Sequence, residues 1–133
     1  MTNGHSRILQ IAAVVAVVFG VITVIAGGLT LFGGDAARIA MGDAVPFVLR
    51  FNFMAGFAYI LAGIGLWRQE RTAVWISLAI LGVTALVFVA FLLHVQQGGA
   101  YEPRTIGAMV LRIAVWAVIA RVAWTHIRQV PRR

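Results

Sequence analysis

"ILQIAAVVAVVFGVITVIAGGLTLF", residues Ile8–Phe32, contains no charged side chain, and the uncharged run continues to Gly34. A helix crosses the apolar part of a bilayer with about 20 mostly apolar residues, so this segment is long enough to span a membrane. A cleavable signal peptide has an apolar region of only about 7–15 residues. We therefore expect the segment to stay in the protein as its first span.

Three further apolar segments of similar length follow the first one. They predict a second span at residues 46–67, a third at 73–95 and a fourth at 105–127, after a first span at 8–32. The connections between them are short. The sequence therefore predicts an all-α protein with a single domain over residues 1–133, an integral membrane four-helix bundle with short loops.

The composition of the chain agrees with lipid as its solvent. Hydrophobic residues make up 62% and charged residues 11% of the sequence, whereas soluble domains average about 45–50% and about 25%. The net charge of +7 comes from arginine alone, and no basic stripe lies on an element that would fold in water, so we expect no nucleic acid partner. The absence of cysteine excludes disulfides and thiolate metal sites.

The first connection is the longest and predicts a short interfacial helix. Asp35 is expected to cap this helix and Gly42 to end it. Pro46 and Pro103 fit the first turns of the second and fourth spans, where a missing N–H costs no hydrogen bond. The apolar residues expected to lie against the membrane surface are Ala36, Ala37, Ile39, Ala40 and Met41.

The arginines predict the orientation of the bundle, since four spans place both termini on one side. Two arginines lie in the opposite loops, Arg38 and Arg104. Six lie with the termini: Arg7, Arg68, Arg71, Arg128, Arg132 and Arg133. Cytoplasmic loops carry the excess of basic residues, so both termini are expected in the cytoplasm. Trp67, Trp75 and Trp124 would then form a belt at the cytoplasmic interface.

Small residues recur at helical spacing on the first two spans. On the first span they are Ala12, Ala16 and Gly20. On the second span one face carries Asn52, Gly56, Tyr59 and Gly63. Because small residues let helices approach closely in lipid, we interpret both faces as helix-packing surfaces. The alternative interpretation is a groove or pore lined by Asn52 and Tyr59, which makes Tyr59 a candidate ligand-binding residue.

Polar residues from three spans are expected to meet in the outer leaflet. They are Arg50, Asn52, His94, Glu102, Arg104, Thr105 and Arg112. Arg112 lies eight residues after Arg104, about 12 Å deeper at 1.5 Å per residue. The long stem of Arg50 can extend to the headgroups, whereas Arg112 reaches water less easily. An ionisable residue at such a depth is a functional-site hypothesis.

Two interpretations of this cluster remain open. In the structural one, Arg112 and Arg50 hydrogen-bond to Glu102, Asp43 or backbone carbonyls and fix the helix arrangement. In the functional one, the excess positive charge receives an anion: a lipid headgroup, a small carboxylate or phosphate, or a quinone oxygen. His94 is expected to be hydrogen-bonded at the interface or poised for proton transfer. Too few partners surround it for a metal or haem site.

The layout resembles the DoxX-like group of small bacterial inner-membrane proteins. The similar features are a glycine-rich first span, a loop with a short helix, and Arg50 ahead of "GFAYILAGIGLW", residues Gly56–Trp67. The resemblance implies a four-span fold in a bacterial inner membrane and proposed links to redox or respiratory partners. It carries over no functional residues.

Three functions are compatible with these patterns, and the sequence identifies neither a catalytic residue nor a cofactor. The first is a non-enzymatic module that binds a partner or an anionic or lipid-like ligand at the polar cluster. The second is a small dimeric anion channel or transporter that uses Asn52, Thr105 and Arg112. The third is a quinone-handling subunit of a redox complex. Homo-oligomers and other membrane proteins are therefore possible partners besides the bilayer.

Overall fold

The computed structural model describes the backbone of residues 3–127 and the side chains of residues 7–127. Within this part, the chain forms five α-helices and no strand: α1 (Asn3–Phe32), α2 (Asp35–Met41), α3 (Pro46–Trp67), α4 (Arg71–Gln96) and α5 (Pro103–Ile127). The predicted all-α class is confirmed. Helices α1, α3, α4 and α5 are each long and apolar enough to cross a membrane. Helix α3 has the bounds predicted for the second span.

The four long helices form an antiparallel bundle, because a short connection reverses the chain between each long helix and the next. Helix α1 packs on α3, α3 on α4 and α4 on α5, and a smaller contact between α1 and α5 closes the ring. Helix α2 and the α4–α5 connection lie at one end of the bundle, called the α2 end below. The α3–α4 connection lies at the other, called the opposite end.

Helices α1 and α3 touch backbone to backbone. A Cβ atom added at Gly20 would lie 2.7 Å from the carbonyl oxygen of Gly56. One added at Gly63 would lie 2.9 Å from the carbonyl oxygen of Ala13. The packing interpretation of the small residues agrees with this contact, since any side chain larger than hydrogen would have to separate the helices.

The core follows the axis of the bundle. Leu9, Leu66 and Ile127 fill the opposite end, and the rings of Tyr59 and Trp116 fill the middle, all of them with at most 1% of their surface exposed. A smaller apolar cluster joins α3, α4 and α5 at the α2 end and contains Val45, Val48, Phe91 and Met109. Large apolar side chains also cover the outside of the bundle, among them Leu29, Leu86 and Val118. The outer surface of the bundle is thus largely apolar, which is compatible with four helices that cross a membrane.

The connections follow the predicted turn chemistry with one correction. Gly42 ends α2 with φ 61°, and Pro46 and Pro103 begin α3 and α5, as predicted. The prediction that Asp35 caps α2 is wrong, because Gly34 occupies the cap position with φ 80° and no side chain caps the helix. The turn after α1 needs this positive φ, which glycine adopts most readily. Asp35 instead lies in the first turn, where its charge still suits the helix dipole.

The opposite end carries the tryptophans expected to form a belt. Trp67, Trp75 and Trp124 are all exposed there, and the ring centroids of Trp75 and Trp124 lie 6.4 Å apart. Three of the arginines used to predict the orientation, Arg128, Arg132 and Arg133, lie outside the described residues.

Candidate functional site

A cavity of about 500 Å³ opens at the α2 end, between α1, α2, α3 and α5. It is called the α2 pocket below. The residues that line it are Leu29, Thr30, Ala37, Ala40, Met41, Ala44, Leu49, Asn52, Arg104, Thr105, Ala108 and Arg112. It thus contains four of the residues predicted for the polar cluster: Asn52, Arg104, Thr105 and Arg112. None of these lining residues is acidic, so the walls combine apolar surface with two cations.

Two side chains at the start of α5 hold α2 over the pocket. The Arg104 guanidinium donates from Nη2 to the carbonyl oxygens of Ala40 at 3.0 Å and Met41 at 3.1 Å. These carbonyls belong to the last turn of α2, where intrahelical donors run out. Glu102 accepts a hydrogen bond of 2.8 Å from the backbone N–H of Asp43. Gly42 lies between the two contacts, where a Cβ atom would meet the Glu102 carboxylate.

Arg112 forms the floor of the pocket. Its Nε is buried and has no hydrogen-bond partner in the described part of the chain. Its guanidinium carbon lies 5.6 Å from the centre of the Phe19 ring, a cation–π contact with α1. Among residues 7–127, no carboxylate forms an ion pair with Arg112. The ring face stabilises the cation only in part, so the charge of Arg112 stays available to a ligand.

Asn52 faces the pocket from α3. Its Oδ1 is buried and, within residues 7–127, has no hydrogen-bond partner. A carboxamide can turn to present either its oxygen or its two N–H donors. Asn52 can therefore accept from a protonated group or donate to an anion, whereas Arg112 can only donate.

The structural interpretation of the cluster considered contacts of Arg112 and Arg50 with Glu102 or Asp43, and no such ion pair is present among residues 7–127. Arg112 does not contact Glu102, which instead holds the backbone of Asp43. The arginine that bonds to backbone carbonyls is Arg104 rather than Arg112 or Arg50. The reason is position along α5: Arg104 lies in the first turn, next to the end of α2, whereas Arg112 lies two turns deeper.

Arg50 and His94 lie outside the α2 pocket. Arg50 is exposed and borders a different cavity, of about 450 Å³, with Phe32, Phe53 and other residues. It is two residues from Asn52, which turns it roughly 200° around α3. His94 lies at the end of α4, where its Nε2 is 2.9 Å from the carbonyl oxygen of Ala100. Its ring packs edge-on against Phe47, with centroids 6.2 Å apart. It therefore joins the end of α4 to the following connection.

Tyr59 lies beneath the pocket rather than in its wall. It follows Asn52 by seven residues on the same face of α3, about 10 Å deeper. Its side chain is fully buried between Phe19, at a centroid distance of 5.5 Å, and Trp116, at 4.8 Å. Arg112, Phe19, Tyr59 and Trp116 thus form a continuous stack from the pocket floor into the core.

Several residues of this region were not predicted from the sequence. Trp116 follows Arg112 by four residues, and this helical spacing could have placed it directly below the arginine. Thr84 and Ser77 are polar residues seven apart within an apolar span, which also indicates one shared face. Phe19 carries no such signal, because it is one apolar residue among many in α1.

The described residues contain no group of three histidines, cysteines or carboxylates that could hold a metal ion. Comparison with protein-family models, curated sequences and solved structures finds no match for this chain. The geometry of the α2 pocket is therefore the basis for any functional assignment.

Proposed function

We propose that this chain is a four-span protein of a bacterial inner membrane whose α2 pocket binds the anionic group of a ligand. The four long apolar helices and their apolar outer faces support membrane insertion. The arginine distribution and the tryptophans at the opposite end support an orientation with both termini in the cytoplasm. The α2 pocket then opens in the outer half of the bilayer.

The observation that carries this proposal is the unpaired guanidinium of Arg112 in a cavity without acidic residues. A cation in the low-dielectric interior costs several kcal/mol unless it is paired. An anion in the pocket would offset that cost and form charge-assisted hydrogen bonds with the guanidinium. Most of the gain from binding would therefore come from Arg112.

The second arginine of the pocket marks its entrance. Arg104 lies about 12 Å from Arg112 along α5, and it keeps N–H donors besides the Nη2 group that holds α2. The two arginines thus place positive charge at the entrance and at the floor of the pocket. Leu29 and Leu49 offer apolar surface beside this path. The ligand class that fits is a carboxylate or phosphate with an apolar portion, a chemistry shared by lipid headgroups and free amphiphilic acids.

Binding fits the bundle better than conduction does. An anion channel needs a second opening at the opposite end, where Leu9, Leu66 and Ile127 are fully buried. These side chains would have to part before an anion could cross. The channel and quinone alternatives therefore become outcomes of the test rather than parts of the proposal.

The test compares Arg112→Gln with Arg121→Gln after extraction in mild detergent. Arg121 is the matched control, because it lies on the same helix but is exposed and away from the pocket. Native mass spectrometry should find an anionic molecule on the wild type and on Arg121→Gln but not on Arg112→Gln. Added dodecanoate and phosphatidylglycerol should raise the thermal midpoint of the first two proteins only, and a response to one of them alone identifies the source of the anion.

Two results would contradict the proposal. One is equal retention and equal thermal shifts in all three proteins. The other is a wild type that neither carries nor responds to any anion. Anion flux through liposomes containing the pure protein would favour the channel, and a retained neutral quinone would favour the redox subunit.

A further inference from the structure

Beneath the α2 pocket, the core contains polar atoms that have no hydrogen-bond partner within residues 7–127. They are Tyr59 Oη, Thr84 Oγ1, Trp116 Nε1 and Ser77 Oγ. All four side chains are fully buried. Polar groups inside an apolar bundle are costly unless they are hydrogen-bonded, so four such groups in one region call for a partner.

The hydroxyls of Thr84 and Ser77 on α4 do not make the hydrogen bond that other threonines of this protein make within their own helix. Thr23, Thr30 and Thr125 each donate to the carbonyl oxygen four residues earlier, at 2.7, 2.8 and 2.9 Å. This bond is the usual solution for a hydroxyl within a helix. Thr84 and Ser77 are helical too and make no such bond. Their hydroxyls are therefore free to bond within the interior of the bundle.

Three helices bring these groups to one level. Tyr59 and Trp116 each lie thirteen residues after the first residue of their helix, about 20 Å from the α2 end. Their rings lie 4.8 Å apart, and the Thr84 hydroxyl lies beside that of Tyr59. Arg112 lies one turn from Trp116 toward the pocket. Ser77 lies two turns from Thr84 toward the opposite end. The polar atoms thus form a row that begins at the pocket floor.

The two nitrogens of the row need acceptors, and within residues 7–127 no hydroxyl accepts from either of them. Arg112 Nε and Trp116 Nε1 are donors only, so neither can satisfy the other. The hydroxyls of Tyr59, Thr84 and Ser77 can both donate and accept. A water molecule accepts from the nitrogens and donates to the hydroxyls, and buried waters commonly make about three such bonds.

We propose that water enters the bundle core through the floor of the α2 pocket and forms a hydrogen-bonded row from Arg112 past Tyr59, Thr84 and Trp116 to Ser77. The row ends inside the bundle and does not reach the opposite end, because Leu9, Leu66 and Ile127 fill the bundle beyond Ser77. It therefore hydrates the buried Nε of Arg112 and connects the Tyr59 hydroxyl to the pocket. It requires only that the pocket floor is open to water, so it does not depend on the binding of an anion.

Radiolytic hydroxyl-radical labelling tests the row in the intact protein, because side chains next to water are labelled even when they are buried. Phe91 is the control, since it is as fully buried as Tyr59 and Trp116 but lies in the apolar cluster at the end of α4. Each labelling rate is divided by the rate of the same residue in the denatured chain. Tyr59 and Trp116 should then be labelled several-fold faster than Phe91. Equal protection of all three residues would overturn the proposal.

A stability comparison gives an independent result. Thr84→Val keeps the shape of the side chain and removes only the hydroxyl, and Thr23→Val is a reference for a hydroxyl already satisfied by its own helix. If water bonds to Thr84, the Thr84→Val variant should lower the folding equilibrium constant about fivefold in detergent titrations. A Thr84→Val variant as stable as the wild type, or more stable, would mean that this hydroxyl is dry and would refute the row.

Discussion

Replacing Gly20 by alanine adds a methyl group where α1 and α3 already touch. The new Cβ would lie 2.7 Å from the carbonyl oxygen of Gly56 and 2.8 Å from Cγ1 of Ile60. Close C···O contacts in proteins are about 3.3–3.6 Å, so the helices must separate by about 0.6 Å or more. Overpacking of this kind costs about 1–3 kcal/mol.

Gly82→Ala is the matched control for this substitution. Gly82 also lies within a long helix, but an added Cβ atom there meets nothing within 4 Å. Alanine stabilises a helix relative to glycine by about 1 kcal/mol, and this gain is common to both variants. It cancels in the difference between them, so Gly20→Ala should be less stable than Gly82→Ala by about 1–3 kcal/mol.

The assay is reversible unfolding in mixed micelles of increasing dodecyl sulfate content, followed by far-ultraviolet circular dichroism. The expected difference corresponds to a factor of about 5–150 in the folding equilibrium constant. Equal stability of the two variants would refute the backbone contact between α1 and α3. It would also remove the argument that glycine at this position is required by packing.

Two further predictions concern α2 and the orientation. Arg104→Gln should raise the rate of amide hydrogen exchange over residues 35–41 several-fold, because two hydrogen bonds to the last turn of α2 are lost. The control is Arg38→Gln, which changes an exposed arginine on α2 itself. Unchanged exchange in Arg104→Gln would contradict the role of Arg104 in holding α2. Since the chain has no cysteine, single cysteines at Ala100 and Glu70 can report sidedness in intact cells. A membrane-impermeant maleimide should label the Ala100→Cys variant only, and the reverse pattern would overturn the proposed orientation.

Much of the fold could be predicted because hydropathy over 20 or more residues is a strong signal for a spanning helix. The bounds of α3, the glycine end of α2 and the prolines at the starts of α3 and α5 follow from local rules that tertiary packing does not override. Asp35 shows the limit of such rules. The backbone conformation at Gly34 decided the position of the cap, and a preference for aspartate did not.

The sequence predicted how far along the helices the polar residues lie, but it did not predict which face of each helix carries them. Asn52, Arg104, Thr105 and Arg112 share a pocket, whereas Arg50 and His94 lie at similar depths on other faces. Polar periodicity usually tells which face of a helix turns inward. The long helices here are apolar on nearly all sides, so the sequence offers few polar positions from which to read the direction.

Helix α5 carries both ends of the α2 pocket, since Arg104 holds its roof and Arg112 forms its floor. A rigid-body rotation of this one helix would therefore shift the entrance and the bottom of the cavity in a single movement. A partner that rotated α5 by binding its outer face would therefore change access to the cavity without entering it.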